Sequence, residues 1–170
     1  MDLKDYITDV PDYPVKGVIF KDITTLWKDP KALKQSTDLL VDHYKDQKID
    51  KVVAAEARGF ILGAPMAYGL NAGFVPIRKP KKLPRESITA TYELEYGSDT
   101  LAVHKDAIAP GEKVLIVDDL IATGGTCRAI ARLVNKLKGD IIGYCFLVEL
   151  EFLHGRDKIK DYDIFSLIKY

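Results

Sequence analysis

The sequence predicts an α/β fold in which a central, mainly parallel sheet is flanked by helices and a small β-hairpin forms a hood over one edge. Short apolar runs alternate with stretches of helical periodicity along most of the 170 residues. One apolar run leads directly into two adjacent aspartates and a glycine-rich turn, and one segment alternates between apolar and polar residues. The first two observations are typical of parallel strands buried between helices, and the third is typical of a hairpin.

Each element is predicted from its own pattern. Helices are expected at Pro30 to about Tyr44, in the uncharged stretch that starts at Gly59, and at Arg128 to Leu137. Strands are expected at Lys51 to Ala55, Phe74 to Ile77, Val114 to Val117, Ile141 to Leu150 and Asp163 to Leu167. The alternation from Tyr92 to Val103, interrupted at Gly97-Ser98, predicts the hairpin.

Composition narrows the class of protein. The chain has the length of one ordinary domain, and its 25 Lys and Arg balance 25 Asp and Glu. That balance gives no overall attraction to nucleic acid or to an anionic membrane, so neither is expected as a partner. Cys127 and Cys145 lack metal-binding spacing, which predicts free, buried thiols in a reducing compartment, the cytoplasm. Prolines and glycines interrupt the uncharged stretch from Gly59 to Ile77, so we do not expect it to span a membrane.

The most informative segment is Val114 to Thr126, which reads V-L-I-V-D-D-L-I-A-T-G-G-T. We expect the strand to end at Val117, so that Asp118 and Asp119, here called the acidic pair, stand where open α/β sheets bind ligands. The next residues can offer backbone N–H groups, two hydroxyls and a helix N-terminus to a phosphate. This phosphate loop consists of Ala122, Thr123, Gly124, Gly125 and Thr126. The alternative is an ordinary strand-to-helix connection with Thr126 as the helix N-cap.

This segment resembles the phosphoribosyl-pyrophosphate motif of the type I phosphoribosyltransferases, in the form typical of members that act on adenine. Other segments follow in the family's order: Asp9 to Pro14 with Gly17 to Thr24, Glu56 to Phe60, Arg78 to Pro84, and Tyr92 to Gly97. The resemblance implies one phosphoribosyltransferase domain over residues 1–170, with a base-recognition segment at 1–29 and the hood at 79–103. It also implies an enzyme of purine salvage that transfers the phosphoribosyl group of phosphoribosyl pyrophosphate to adenine, giving AMP and pyrophosphate.

On the base side, the resemblance implies that Phe20 stacks on the purine. The backbones of Ile19 and Lys21 would present hydrogen-bonding groups to the base edge, which suits adenine because its exocyclic amine donates where a 6-oxopurine accepts. Without the resemblance, the apolar run Val18-Ile19-Phe20 indicates core packing of Phe20.

On the pyrophosphate side, five of the eight residues from Arg78 to Arg85, here called the basic loop, are Lys or Arg. Composition alone favours a solvated surface loop. The resemblance implies instead that the loop closes over pyrophosphate through Lys79 and Lys82, and that Arg78 reaches toward the neighbouring site of a homodimer.

Arg58 is expected to stabilise the departing pyrophosphate from a turn that also contains Glu56 and Ala57. The resemblance makes the Glu56–Ala57 peptide bond the candidate for a cis or strained bond. The alternative for Arg58 is a surface ion pair with Glu56 or another acid.

Glu95 is the candidate proton acceptor, because a carboxylate desolvated by a closing hood has a raised pKa and can take a proton from the purine. A solvent-facing glutamate is the alternative. Tyr96 is expected to hold the pyrophosphate side or to pack the closed hood, and the acidic pair to steady the ribose as positive charge develops. Mg²⁺ is the expected cofactor, bound mainly through phosphoribosyl pyrophosphate and without direct side-chain ligation.

Two residues depart from the family pattern. Thr25 stands where a proline is common, and Lys81 stands where a glycine is common, which predicts a stiffer and more basic loop. Phe60, Met66 and Tyr68 are expected at the surface, where an uncharged stretch supports a homodimer.

Rival functions are a non-catalytic phosphoribosyl-pyrophosphate sensor, a P-loop hydrolase and an enzyme for another purine. The sensor is disfavoured because no basic DNA-binding segment is evident. The hydrolase is disfavoured because G-x-x-x-x-G-K-[ST] does not occur in the sequence.

Overall fold

The computed structural model describes residues 2–94 and 97–170. Strands and helices alternate along the chain, as the sequence predicts. The elements are a 3₁₀ turn (Leu3–Tyr6), β1 (Thr8–Pro11), β2 (Ile19–Asp22), α1 (Thr24–Trp27), α2 (Pro30–Tyr44), β3 (Lys51–Ala55), α3 (Arg58–Gly69), β4 (Gly73–Ile77), β5 (Ser87–Glu93), β6 (Ser98–His104), β7 (Lys113–Ile121), α4 (Gly125–Lys136), β8 (Asp140–Glu149), 3₁₀ turns (Glu151–Leu153 and Gly155–Lys158) and β9 (Asp163–Lys169).

The centre of the molecule is a five-stranded sheet in the order β4-β3-β7-β8-β9. Every neighbouring pair in it is parallel. Because successive side chains of a strand point to opposite faces, the adjacent residues Leu115 and Ile116 of β7 enter two different apolar cores, one on each side of the sheet. The predicted α/β class with a parallel sheet flanked by helices is confirmed.

The strand that carries the acidic pair is longer than predicted. β7 continues to Ile121, because Asp118 pairs with Phe146 and Ile121 with Glu149 in the long neighbouring strand β8. The expectation that the strand ends at Val117 was therefore wrong, and the acidic pair lies within the last part of the strand. Helix α4 likewise begins before its predicted start, at Gly125.

Two antiparallel pairs lie outside the central sheet. β1 and β2 form an N-terminal ribbon, and β5 and β6 form the predicted hairpin. The hairpin begins at Ser87 and not at Tyr92. Residues 87–91 already pair with β6, and their side chains alternate between more exposed and more buried positions. Ala90 in that strand and Leu101 in the next are buried in the core that α4 covers.

Helix α3 corrects one surface expectation. Met66 is completely buried, with its sulfur 4.0 Å from that of Cys145, so its placement at the surface was wrong. Phe60 is half-buried and meets Phe74 edge-on at 5.6 Å between ring centres. Tyr68, however, is 91% exposed.

Both cysteines are free and buried, as predicted. Burial raises the pKa of the Cys127 thiol and of the Cys145 thiol above the usual range, so both are held as neutral thiols. Within residues 2–94 and 97–170, no helix combines the length and the apolar character that crossing a membrane requires.

An ion pair between the buried Glu149 and the half-buried Arg156 holds the segment that follows β8. The carboxylate of Glu149 accepts hydrogen bonds from Nε and Nη2 of Arg156 at 2.5 and 2.8 Å. Arg156 also donates through Nη1 to the carbonyl oxygen of Ile164 at 3.3 Å. These bonds fix the turn at Gly155, where a Cβ atom would overlap the carbonyl oxygen of Ala122 in the phosphate loop. The turn therefore packs against the phosphate loop and supports it.

Candidate active site

A cavity of about 320 Å³ opens at the carboxyl ends of β3 and β7. Three parts of the chain form its walls: the turn from β3 into α3, the end of β7 with the phosphate loop, and the hairpin with the start of the basic loop. Its lining includes Glu56, Ala57, Arg58, Gly59, Lys79, Tyr92, Asp118, Asp119 and Ala122 to Thr126. Most residues predicted to contact ribose, pyrophosphate and phosphate thus meet in one cavity.

The acidic pair lies close to the start of α3. The backbone N–H of Asp119 donates to Oδ1 of Asp118 at 2.9 Å. Oδ2 of Asp119, a residue only 3% exposed, lies 2.9 Å from Nε of Arg58. Gly59 permits this approach, because a Cβ atom there would lie 2.9 Å from Oδ1 of Asp118.

Burial dominates the electrostatics of this pair. Desolvation, followed by the charge of Asp119, raises the pKa of Asp118 well above its usual range. Desolvation also raises the pKa of Asp119, against the opposing effect of the Arg58 guanidinium. Positive charge arriving in the cavity would lower both pKa values, so the pair is suited to stabilise a cation.

Arg58 connects this pair with the N-terminal ribbon. Its guanidinium carbon lies 5.9 Å from the centre of the Phe20 ring, while its Nε faces Asp119. Arg58 therefore does form an ion pair, but with an acid inside the cavity and not with Glu56 at the surface.

Phe20 packs on the site side of the ribbon and not in either core. It is half-buried and meets Tyr13 edge-on, with 5.2 Å between ring centres. Ile19 is 56% exposed, and the side chain of Lys21 is held by Asp9 at 2.7 Å and by the Tyr170 ring at 4.0 Å from its centre. None of these three β2 residues lines the cavity itself, and Phe20 approaches it through its contact with Arg58, which does.

Thr25, the first departure from the family pattern, organises the base of this ribbon. Its hydroxyl accepts from the N–H of Thr8 at 3.1 Å and lies within donating distance of the carbonyl oxygens of Tyr6, at 2.6 Å, and Asp22, at 2.8 Å. A proline would lack this hydroxyl. The threonine thus joins the start of β1 to the end of β2.

The turn before α3 contacts the start of the basic loop through Glu56. The peptide bond between Glu56 and Ala57 is cis. Oε1 of Glu56 accepts from the backbone N–H of Lys79 at 2.7 Å and lies 3.3 Å from Nε of Arg78. The Glu56 carboxylate therefore fixes where the basic loop leaves β4.

Further along the basic loop, Lys81 and Lys82 do not line the cavity. Lys82 is exposed, and its backbone N–H donates to the carbonyl oxygen of Lys79 at 3.2 Å. Lys81 has a φ of +71°, the left-handed conformation that a glycine adopts without steric cost. Glu95 and Tyr96, predicted as proton acceptor and hood residue, lie outside the described residues.

The phosphate loop is shaped by glycine. Gly124 is the N-cap of α4 with a φ of +80°, and a Cβ atom there would overlap the carbonyl oxygen of Gly155. Thr126 is not the N-cap, as the ordinary connection would require, but lies in the first turn of the helix. The loop therefore leads the N-terminus of a 12-residue helix into the cavity, a position suited to an anion.

Sequence reasoning missed three contributors. Tyr92 lines the cavity from β5, and its hydroxyl accepts from Oγ1 of Thr126 at 3.4 Å. The motif that contains Tyr92 is visible in the sequence, but the sequence does not show that the Tyr92 side chain lines the cavity. Gly59 and Gly155 act through close approaches to residues distant in sequence, and no local pattern indicates them.

Comparison with known proteins agrees with this geometry. Residues 22–169 match the family model described as a phosphoribosyl transferase domain. The adenine phosphoribosyltransferase of Halothermothrix orenii is 54% identical over 169 residues, which is 99% of each chain. The crystal structure of adenine phosphoribosyltransferase from Thermoanaerobacter pseudethanolicus has a TM-score of 0.95 at 53% identity, covering 99% of this chain and 98% of that one. The enzyme from Saccharomyces cerevisiae, in complex with an imino-altritol bisphosphate and adenine, has a TM-score of 0.89 at 41% identity, covering 97% and 96%.

The chain therefore belongs to the phosphoribosyltransferase family and, within it, to the adenine phosphoribosyltransferases. It is a glycosyltransferase of purine salvage, and the resemblance drawn from its motifs is confirmed.

The approach of Gly124 to Gly155 yields a stability prediction. We expect Gly124→Ala to lower the free energy of unfolding by about 3 kcal/mol, because a methyl group adds backbone overlap to the left-handed strain. Gly111→Ala is the control, since Gly111 has a φ of +82° but open space around it. We expect it to cost only about 1 kcal/mol. Urea unfolding of both variants measures the difference, and equal losses would contradict it.

The raised pKa of Asp118 yields a pH prediction. A carboxyl whose folded pKa is raised stabilises the fold fully below its unfolded pKa of about 3.9, and this contribution is lost as pH rises through the folded pKa. Asp118→Asn does not titrate, so we expect its midpoint of thermal unfolding to lie a few degrees above that of wild type near neutral pH. Thermal unfolding from pH 5 to 8 tests this, with the exposed Asp106→Asn as control. A variant no more stable than wild type would show that burial does not penalise this charge.

Proposed function

We propose that this chain transfers the phosphoribosyl group of phosphoribosyl pyrophosphate to adenine, with release of pyrophosphate, through the residues around the cavity. One observation carries the proposal: a buried pair of carboxylates lies beside a glycine-shaped helix N-terminus in a single cavity. A phosphorylated sugar that develops positive charge would bind its phosphate at the helix N-terminus, and the carboxylates would stabilise the positive charge. The binding of adenine by the related yeast enzyme supports the choice of base.

On the base side, we propose that adenine stacks on Phe20 and that the backbones of Ile19 and Lys21 bind its edge. The half-buried position of Phe20 outside both cores supports this role. A mismatched purine would leave buried polar groups unpaired, and that penalty would provide selectivity.

On the ribose side, the acidic pair stabilises the positive charge that develops at the anomeric carbon. The effect is large where water is excluded, since fixed charges act more strongly in a medium of low dielectric constant. The phosphate loop binds the 5′-phosphate through backbone N–H groups of Ala122 to Gly125 and through the hydroxyls of Thr123 and Thr126. The helix N-terminus and the room left by Gly124 support this assignment.

On the leaving-group side, Arg58 and Lys79 bind pyrophosphate next to the turn of Glu56 and Ala57. Both cations line the cavity, which supports their role. Lys82 joins them when the basic loop closes, and Arg78 reaches toward the site of a second copy.

Proton transfer completes the reaction. Glu95 accepts the proton that the purine loses as its ring nitrogen attacks, and Tyr96 packs over the pyrophosphate.

The donor groups of the cavity fit Mg²⁺. They are hard carboxylate oxygens, and Oδ2 of Asp119 is buried with Nε of Arg58 at 2.9 Å but makes no well-aligned hydrogen bond in the described part of the chain. We propose that the ion is bound mainly through oxygens of phosphoribosyl pyrophosphate, with the acidic pair facing the ribose side. When bound, it would neutralise charge on the departing pyrophosphate.

We further propose a homodimer in the cytoplasm, with no nucleic-acid partner. Two free, buried cysteines support a reducing compartment. The 91% exposure of Tyr68, beside Ile61 at 46% on the same helix, supports a self-association surface on α3.

A pyrophosphate-release assay across six bases tests the activity. We expect fast turnover with adenine, and a kcat/KM at least about a hundredfold lower with hypoxanthine, guanine, xanthine, uracil and orotate, because their edges mismatch the adenine slot. Omitting the base is the control. A comparable kcat/KM with hypoxanthine or guanine would assign the chain to another purine.

Light scattering tests the dimer. At micromolar concentration we expect twice the 19.0 kDa mass of one chain. A monomeric mass in a fully active sample would refute both the dimer and the proposed reach of Arg78.

A further inference from the structure

The hairpin carries an acid that none of the roles above uses. Asp99 lies on β6, directly opposite Tyr92 of β5 in the strand register. Its Oδ1 accepts from the backbone N–H of Thr100 at 2.8 Å, which fixes the carboxylate. Its Oδ2 accepts from Nζ of Lys79 and from the hydroxyl of Tyr92.

Lys79 and Tyr92 both line the cavity, whereas Asp99 lies behind them. Lys79 is 42% exposed and Asp99 28% exposed at their side chains, so neither is far from solvent. The hydrogen bond from Lys79, against a smaller opposing effect of burial, lowers the pKa of Asp99 below its usual range, so the acid is charged. The ammonium proposed to bind pyrophosphate is thus already neutralised by a carboxylate.

An ammonium paired with a carboxylate attracts a second anion less strongly than a free one does. The charge of Asp99 also repels an anion entering beside Lys79, since the separation is well within the Debye length of about 10 Å. Both effects have the same sign, and both weaken the binding of pyrophosphate.

The same oxygen of Asp99 is connected through Tyr92 to the phosphate loop. The hydroxyl of Tyr92 donates to Oδ2 of Asp99 at 3.3 Å and accepts from Oγ1 of Thr126 at 3.4 Å. A chain of side chains therefore runs from Lys79 through Asp99 and Tyr92 to Thr126. It links a residue proposed to bind pyrophosphate to a residue of the phosphate loop.

We propose that Asp99 is an internal counter-anion for Lys79 that pyrophosphate must replace and that takes Lys79 back when pyrophosphate leaves. Asp99 is then a positioning residue for the transfer reaction, acting through Lys79, and it favours product release. This inference rests on the proposed function, since it assumes that Lys79 binds pyrophosphate.

Calorimetric titration with inorganic pyrophosphate in the presence of Mg²⁺ tests the proposal. We expect Asp99→Asn to bind pyrophosphate about three- to tenfold more tightly than wild type, with product inhibition by pyrophosphate strengthened in proportion. A merely structural role would weaken binding. Asp140→Asn is the matched control, because it removes the same charge from an ion pair with Lys113 at the amino ends of β7 and β8, away from the cavity, and should leave affinity unchanged.

A double-mutant cycle locates the effect at Lys79. In a Lys79→Ala background, the gain from Asp99→Asn should disappear, because no ammonium is left to release. Asp99→Ala, with thermal unfolding as a check on folding, repeats the measurement should Asn distort the hairpin.

The outcomes separate the two proposals. If wild type binds pyrophosphate and Asp99→Asn binds it equally or more weakly, the counter-anion is wrong and the proposed function stands. If Asp99→Asn still tightens pyrophosphate binding in the Lys79→Ala background, the counter-anion role of Asp99 is also wrong. If wild type binds no pyrophosphate and shows no turnover with adenine, the proposed function fails and this inference with it.

Discussion

The rest of the site depends on two carboxylates buried side by side near the end of one strand. Removing Asp118 and Asp119 from water is unfavourable, and the raised pKa of each shows that the protein offsets this penalty only in part. Arg58 supplies the nearest positive charge, and Gly59 lets the start of α3 approach the pair. The part of the penalty that the protein does not offset favours binding of positive charge on a ligand by the pair. The fold therefore sacrifices stability at the point where the chemistry needs a fixed negative field.

Positive charge around the cavity is balanced by acids of the same chain on the other walls as well. Arg58 faces Asp119, Arg78 faces Glu56, and Lys79 faces Asp99. Each of these three cations is thereby held in place by an acid of the same chain. Holding the side chains in this way reduces the conformational entropy lost on binding, while the competing acid lowers the affinity. An enzyme that must release a highly charged product benefits from both effects.

The sequence was a good guide wherever one local pattern determines the structure. Apolar runs predicted the parallel sheet, and the spacing in Arg128 to Leu137 predicted the buried face of α4, because both reflect burial against a neighbouring layer. Boundaries were less predictable: β7 extends past the acidic pair because β8 offers pairing partners, a fact that the charged residues themselves conceal. Met66 was misplaced because α3 has no charged residue after Arg58, so its periodicity does not say which side faces the sheet. Tyr92, Gly155 and Asp99 escaped notice because their positions depend on pairings between distant segments.

Gly155 meets the phosphate loop at two points, beneath Ala122 and against Gly124. It does so from a segment that follows β8 and that Arg156 fastens to Glu149. The loop that would bind the 5′-phosphate is therefore incomplete until the C-terminal part of the chain has docked. During synthesis on the ribosome, the motif from Val114 to Thr126 emerges well before the turn that gives it its shape. The nascent chain thus contains the phosphate-binding residues before the loop has its final shape. It acquires affinity for its anionic ligand only when the segment with Gly155 and Arg156 has docked.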